Sequence, residues 1–261
     1  MHHEMLDHFA AGQTPAHRFD PAAKTLAALA MILTVVLVGR DHFWPLLPVA
    51  CALAAYHAVS RLPVRYALKR LLVISPAAVA VAALFPLLEP GSAVWSMDFA
   101  GHTLQVTDTG LLRAAGLVCK FLLAAWAALL LLSTTRFQAM LQALTRLRVP
   151  RALVVQLAFL YRYLWVMADE VMRLRMARTA RDGGAGPWRL RMQSRTALVG
   201  VLFLRTWDRA ERIYWAMAAR GFDGSLQTAS AGRLRAADWL LALGAIVGGA
   251  AILVWDRLAY A

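Results

Sequence analysis

The chain has 261 residues, of which 60% are hydrophobic, and a mean hydropathy of +0.55. A soluble domain of this size is about 45–50% apolar, so the excess excludes a single water-soluble core. The net charge of +13 raises nucleic acid as a partner, but the distribution of that charge along the chain points to a membrane instead.

The N-terminal residues Met1-His2-His3-Glu4 lead to Lys24 without an apolar run, unlike a secretory signal, so insertion is expected to rest on internal segments. His2 and His3, with His8, are candidates for a metal site, against the alternative of a short solvated tail. A bilayer core needs roughly 20 apolar residues in a helix. The spans expected in chain order are 25–38, 44–59, 71–88 (interrupted by Pro76 and Pro86), 111–132 and 239–255. Cys51 and Cys119 fall inside these apolar runs, where small-residue packing explains them better than a disulfide. Lys120 lies deep in the fourth span, where packing against a partner subunit is one role for it.

Basic residues set the orientation. The loop 61–70 holds Arg61, Arg65, Lys69 and Arg70; the stretch 134–235 holds 18 of the 28 lysines and arginines; the loop 89–110 holds none. With the N-terminus inside, alternation over five spans puts every basic stretch in the cytoplasm and the C-terminus outside. A sixth span would have to come from 153–168, which contains Arg162, so that segment is read as a helix at the cytoplasmic interface. The alternation around Ala100-Gly101 predicts a small β-hairpin in the outer loop. The fold class is therefore an all-α integral membrane protein. Its parts are N-terminal transmembrane helices over 1–133, cytoplasmic helices over 134–235 and a last transmembrane helix over 236–261.

In the cytoplasmic region, a short amphipathic helix over 134–148 ends at Val149-Pro150, because proline disfavours helix in the residue before it. A long helix follows to about Arg181. Its apolar stripe is Leu153, Leu157, Leu160, Leu164, Met167, Val171 and Leu174. Asp169, Glu170 and Arg173 are spaced for a local ion pair, as are Asp208 and Arg212. After Gly183-Gly184, a second long helix runs from about Arg189 to Arg220. It has Arg205, Asp208, Arg209 and Arg212 on one face, and Phe203, Trp207, Ala210, Tyr214 and Met217 on the other. Aromatics placed opposite the arginines suit burial better than base stacking, so nucleic acid is not expected as a partner. The two helices end alike, with an Ala-Arg pair in the last turn. An arginine there interacts well with the negative helix end, and its planar fork can reach beyond the tip to a partner's carboxylate.

These stretches resemble a known family, the transmembrane (T) component of energy-coupling-factor importers, and most closely its CbiQ-like cobalt/nickel branch. The match is carried by Pro15-Ala16-His17-Arg18-Phe19-Asp20-Pro21-Ala22-Ala23-Lys24, by Val149-Pro150 with Phe159 to Tyr163 and Asp169-Glu170, and by the two Ala-Arg ends. Ala219-Arg220-Gly221 fits the family motif intact. Ala180-Arg181 is followed by Asp182 where glycine is common, and Ala177-Arg178 is the competing placement. The resemblance implies a scaffold that ties cytoplasmic ABC ATPases to a membrane substrate-binding subunit in the lipid bilayer. Arg181 and Arg220 would meet acidic residues of the ATPases. ATP would be bound by those partners, with no cofactor in this chain, which has no Gly-x-x-x-x-Gly-Lys-[Ser/Thr] loop. Cobalt or nickel follows from the branch, and a vitamin is the alternative cargo. A membrane-bound enzyme would need a compact acid/base or metal cluster. A stand-alone secondary transporter would favour matching inverted halves.

Overall fold

The computed structural model describes Gly12 and residues 14–39, 43–89, 92–99, 102–182, 187–224 and 235–260. Ten helices and one hairpin follow in chain order: α1 (Pro15–Arg18), α2 (Pro21–Leu37), α3 (Leu46–Ser60), α4 (Val64–Ala82), α5 (Phe85–Leu88), β1 (Ala93–Phe99), β2 (His102–Thr107), α6 (Asp108–Thr134), α7 (Phe137–Arg146), α8 (Arg151–Asp182), α9 (Trp188–Ala218) and α10 (Ala236–Tyr260). They form two compact units. Residues 1–143 and 231–261 make a membrane unit, and residues 144–230 make a second one, built on α8 and α9.

The core of the membrane unit is apolar and lies where α2, α3 and α6 meet, around Val35, Val49, Leu53, Ala127 and Leu130. Outside that core, large apolar side chains such as Leu33, Leu72, Val247 and Leu258 are exposed, as lipid-facing positions must be. Cys51 and Cys119 are free and exposed as well, so they do not serve the small-residue packing expected of them.

Helix α2 is held at both ends by α10. Asp20 caps its N-terminus, its carboxylate accepting from the Ala22 N–H at 2.9 Å, and Pro21 suits the first turn. The Asp20 N–H in turn donates to Asp238 Oδ1 of α10 at 2.8 Å. Eighteen residues further along α10, Asp256 Oδ2 accepts from the Gly39 N–H, just past the end of α2, at 2.8 Å. Both carboxylates are buried. Midway, Gly249 lets the helices touch: a Cβ there would meet Thr34 Oγ1 at 2.2 Å. Small residues are the usual means of close helix approach in lipid.

The N-terminal ends of α2 and α10 meet, and so do their C-terminal ends, so the two helices run parallel. Among the described residues, α6, α8 and α10 are long and apolar enough to cross a membrane, and α2 and α3 are shorter apolar helices.

Three local details differ from the sequence reading. Arg65, Lys69 and Arg70 are not in a loop: α4 begins at Val64, and of the four basic residues only Arg61 (φ 52°) lies in the connection 61–63 from α3. Pro63 supplies a natural helix start, and Arg70 lies over the Tyr66 ring at 5.5 Å. Pro76 does not interrupt α4, whose break comes at Ala83-Leu84, ahead of Pro86 in α5. Lys120 serves the chain itself: its Nζ donates to the Val38 and Gly39 carbonyls at 2.8 Å each, closing the C-terminal end of α2. Replacing it by methionine leaves carbonyls without that donor, at a cost of about 1–3 kcal/mol per unsatisfied group. Lys120→Met is therefore expected to lower the melting temperature in detergent, and an unchanged melting curve would dismiss this role.

β1 and β2 pair antiparallel as expected, with Phe99 opposite His102 and a register shift between Ala93 and Trp95. Thr107 Oγ1 donates to the Glu89 carbonyl at 3.0 Å, and Arg113 pairs with the Glu89 carboxylate. At the far end of α6, the buried Lys24 ammonium donates to the carbonyls of His17 (3.2 Å) and Thr134 (3.1 Å), joining the ends of α1, α2 and α6. His57 is structural, packed edge-on against Trp126 with ring centroids 5.8 Å apart.

Candidate coupling site

The second unit is an antiparallel helical hairpin. Arg178 Nη2 of α8 donates to the Arg191 carbonyl of α9 at 3.3 Å. Arg205 of α9 pairs with Glu170 of α8, and Thr206 Oγ1 donates to Met167 Sδ at 3.1 Å. Positions rise along α9 as they fall along α8, so the two C-terminal ends lie at opposite ends of the pair. At 1.5 Å per residue they are separated by roughly 45 Å.

The second Ala-Arg end is built by a Schellman turn. The Phe222 N–H donates to the Met217 carbonyl at 3.1 Å, and the Gly221 N–H donates to the Ala218 carbonyl at 3.0 Å. Gly221 has φ +75°, a left-handed conformation that a side chain disfavours. Ala219 and Arg220 are exposed at this tip. At the first end, Ala180 and Arg181 are also exposed, in the last turn of α8. Arg178 is half-buried and already spent on the Arg191 carbonyl, while Ala177 beside it is exposed. The turn after Asp182 lies outside the described residues, as do His2 and His3.

Glu170 shows what local spacing misses. It accepts from Arg173 at 3.4 Å, the expected i,i+3 pair, but its stronger partner is Arg205, 35 residues away. That hydrogen bond holds the Glu170 carboxyl below the usual carboxylate range, helped by the charges of Arg173 and Arg209. A carboxylate lowered by folding stabilises the fold above its unfolded value, about 4.3, and that contribution is lost as pH falls through the lower folded value. The α8–α9 contact is therefore expected to loosen in acid, below about pH 4. Amide hydrogen exchange in α8 and α9 would show this, and Glu170→Gln should abolish the pH step. The expected Asp208–Arg212 ion pair is not formed among the described residues.

Trp207 and Tyr214 are not buried by the chain: they are 64% and 61% exposed, with Phe203 and Trp215 beside them. Leu153, Leu157, Leu160 and Leu164 of α8 are exposed too, so the expected stripe is covered by α9 only from Met167 onward. These faces have the composition of a surface that closes against another apolar body. Among the described residues, no three His, Cys, Asp or Glu side chains form a metal-ligating group.

The family profile described as CbiQ, cobalt transport protein, matches residues 12–230, which include the whole hairpin and both Ala-Arg ends. The chain belongs to the CbiQ family, the transmembrane components of energy-coupling-factor transporters. An energy-coupling factor transporter transmembrane protein, EcfT, of Listeria innocua is 28% identical over 84% of this chain and 85% of its own length. A cobalt transport protein, CbiQ, of Rhodobacter capsulatus is 30% identical over 58% of this chain and 62% of that one. In Methanocorpusculum labreanum, a fused cobalt transport protein, CbiMQ, is 31% identical over 47% of this chain, and the match spans 20% of that longer protein. The CbiQ chain described here is thus a membrane-embedded transporter component.

Proposed function

We propose that this CbiQ-family chain is the scaffold that couples ABC ATPase subunits to a membrane substrate-binding subunit, and that the cargo is cobalt. The observation that carries the coupling role is the pair of exposed Ala-Arg ends, Ala180-Arg181 and Ala219-Arg220-Gly221, held far apart by one hairpin. Two ends on one lever suit two ATPase subunits, each offering a carboxylate to a guanidinium fork. Arg181 is favoured over Arg178 as the first contact, because Arg178 is engaged inside the hairpin. Closure of the ATPases on ATP would move the two ends. The exposed apolar faces of α8 and α9 would pass that movement to the substrate-binding subunit. The chain itself is not an enzyme on this reading, and ATP hydrolysis belongs to the partners.

Cobalt is supported by the relatives named cobalt transport proteins, while those named EcfT carry no metal in their names. The reading is tested by cobalt uptake into vesicles holding the complete complex. Uptake that needs ATP, and that excess nickel or biotin does not suppress, supports it. Uptake without ATP would return the chain to the secondary transporters.

A further inference from the structure

Three arginines of α9 line one polar cavity of about 210 Å³ beside Glu170: Arg205, Arg209 and Arg212, together with Met167, Thr206 and Asp208. They stand four and three residues apart, so they form a ladder along one side of the helix, rising about 5–6 Å per rung. Among the described residues, only the first rung is ion-paired, while Arg209 acts on Glu170 through its charge. Arg205 holds Glu170, while Arg209 and Arg212 make no ion pair among the described residues, and Asp208 makes none either. Three guanidiniums therefore share the cavity with two carboxylates, and only the Glu170 carboxylate is ion-paired among the described residues.

Over its first half the seam of α9 repeats at the four-residue interval: Ser194, Leu198, Leu202 and Thr206 are half-buried, and the half-buried positions then continue at Arg209, Ile213 and Met217. Moving α9 by one turn along α8 would put Leu202 where Leu198 packs, and Arg209 where Arg205 meets Glu170. Over 194–206 the seam would stay filled, and the carboxylate would keep a guanidinium partner. Packed elements change position by such one-turn jumps rather than by continuous sliding, because intermediate positions leave both unpaired.

We propose that Arg205, Arg209 and Arg212 are positioning residues that give the hairpin two discrete registers, with the Glu170 carboxylate passing from Arg205 to Arg209 and Arg212 serving the far side of the step. The register seen here is the Arg205 one. A one-turn shift displaces the Arg220 end relative to the Arg181 end by about 5.4 Å. The use of that displacement in transport rests on the coupling reading; the two registers do not.

Disulfide trapping tests the ladder on the full chain in lipid nanodiscs, with Cys51 and Cys119 replaced by serine. The pair Met167→Cys with Thr206→Cys reports the present register, where those side chains touch at 3.1 Å. The pair Met167→Cys with Ala210→Cys reports the shifted one. A disulfide tolerates Cα separations of only about 4.4–6.8 Å, so a one-turn shift is resolved. Arg205→Gln is expected to raise the 167–210 link about threefold, the population change that goes with one exposed ion pair. Adding Arg209→Gln and Arg212→Gln should return it to the starting level. On a Glu170→Gln background, which keeps the side-chain shape, Arg205→Gln should change neither link. If Arg205→Gln leaves the 167–210 link unchanged, or raises it equally without the Glu170 carboxylate, the ladder is wrong and the coupling reading is untouched. If the links shift as expected while charge reversal at Arg181 and Arg220 fails to release the ATPase, the ladder stands and the coupling reading falls.

Discussion

Gly249→Leu is expected to unfold the membrane unit or to leave it aggregated in detergent. A Cβ at Gly249 already falls 2.2 Å from Thr34 Oγ1, well inside any tolerated contact, and the Ala30 carbonyl lies 3.8 Å away. Thr34 cannot easily turn aside, since its hydroxyl donates to the Ala30 carbonyl at 2.8 Å and its side chain is buried. A leucine must therefore push α10 off α2. Overpacking of a tight core costs about 1–3 kcal/mol even for added methylenes. Separation of the helices would also strain the bonds to the buried Asp238 and Asp256 carboxylates at both ends, each a hydrogen bond to a charged group that contributes about 1.5–3 kcal/mol. The sum is comparable to the whole stability of a typical domain, about 5–15 kcal/mol. Gly249→Ala should be milder, and Thr34→Ala should rescue it by removing the hydroxyl that the new methyl group meets. Thermal unfolding followed by tryptophan fluorescence would show this; equal melting of the wild type and Gly249→Leu would mean that α2 and α10 do not touch there.

The second large effect is expected at the two arginine ends. Hydrogen bonds to charged groups contribute about 1.5–3 kcal/mol each, and removing one partner of a desolvated charge pair costs about 2–5 kcal/mol. Reversing Arg181 and Arg220 together is therefore expected to cost at least about 4 kcal/mol of ATPase affinity, on the order of a thousandfold in Kd. The hairpin should survive, because both side chains are exposed and neither helix pair depends on them. Arg178→Glu is the discriminating control. It should disturb the α8–α9 contact through the Arg191 carbonyl while leaving most of the ATPase affinity. A larger loss from Arg178→Glu than from Arg181→Glu would move the first contact to Ala177-Arg178.

Much of this arrangement is legible in the sequence, for a physical reason. Apolar runs are local signals, and they place the apolar helices and the long helices of the hairpin. The outer β-hairpin is legible from its alternation. Val149-Pro150 and Gly221 mark helix boundaries because proline and a left-handed φ leave few alternatives. What escapes is long-range pairing. Nothing local links Asp238 to Asp20 or Asp256 to Gly39, yet these bonds set α2 and α10 parallel. Glu170 reads as a partner of Arg173 because the spacing satisfies it, and only folding brings Arg205 alongside. Lys120 reads as a charge in search of a partner subunit, until the end of α2 is placed against it. The choice between Arg178 and Arg181 is of the same kind, since both sit in an Ala-Arg pair and only the hairpin contact separates them. The burial expected for Trp207 and Tyr214 is sound for an aromatic face in general, but this chain by itself does not supply the cover.

The most direct test of the coupling role is co-purification in detergent of this chain with the ATPase subunits of its own transporter, comparing wild type with Arg181→Glu plus Arg220→Glu. The account predicts that the wild type retains the ATPases, and that the double variant elutes folded and alone. Equal retention by both, or by neither, would contradict it and reduce the two arginine ends to ordinary helix caps.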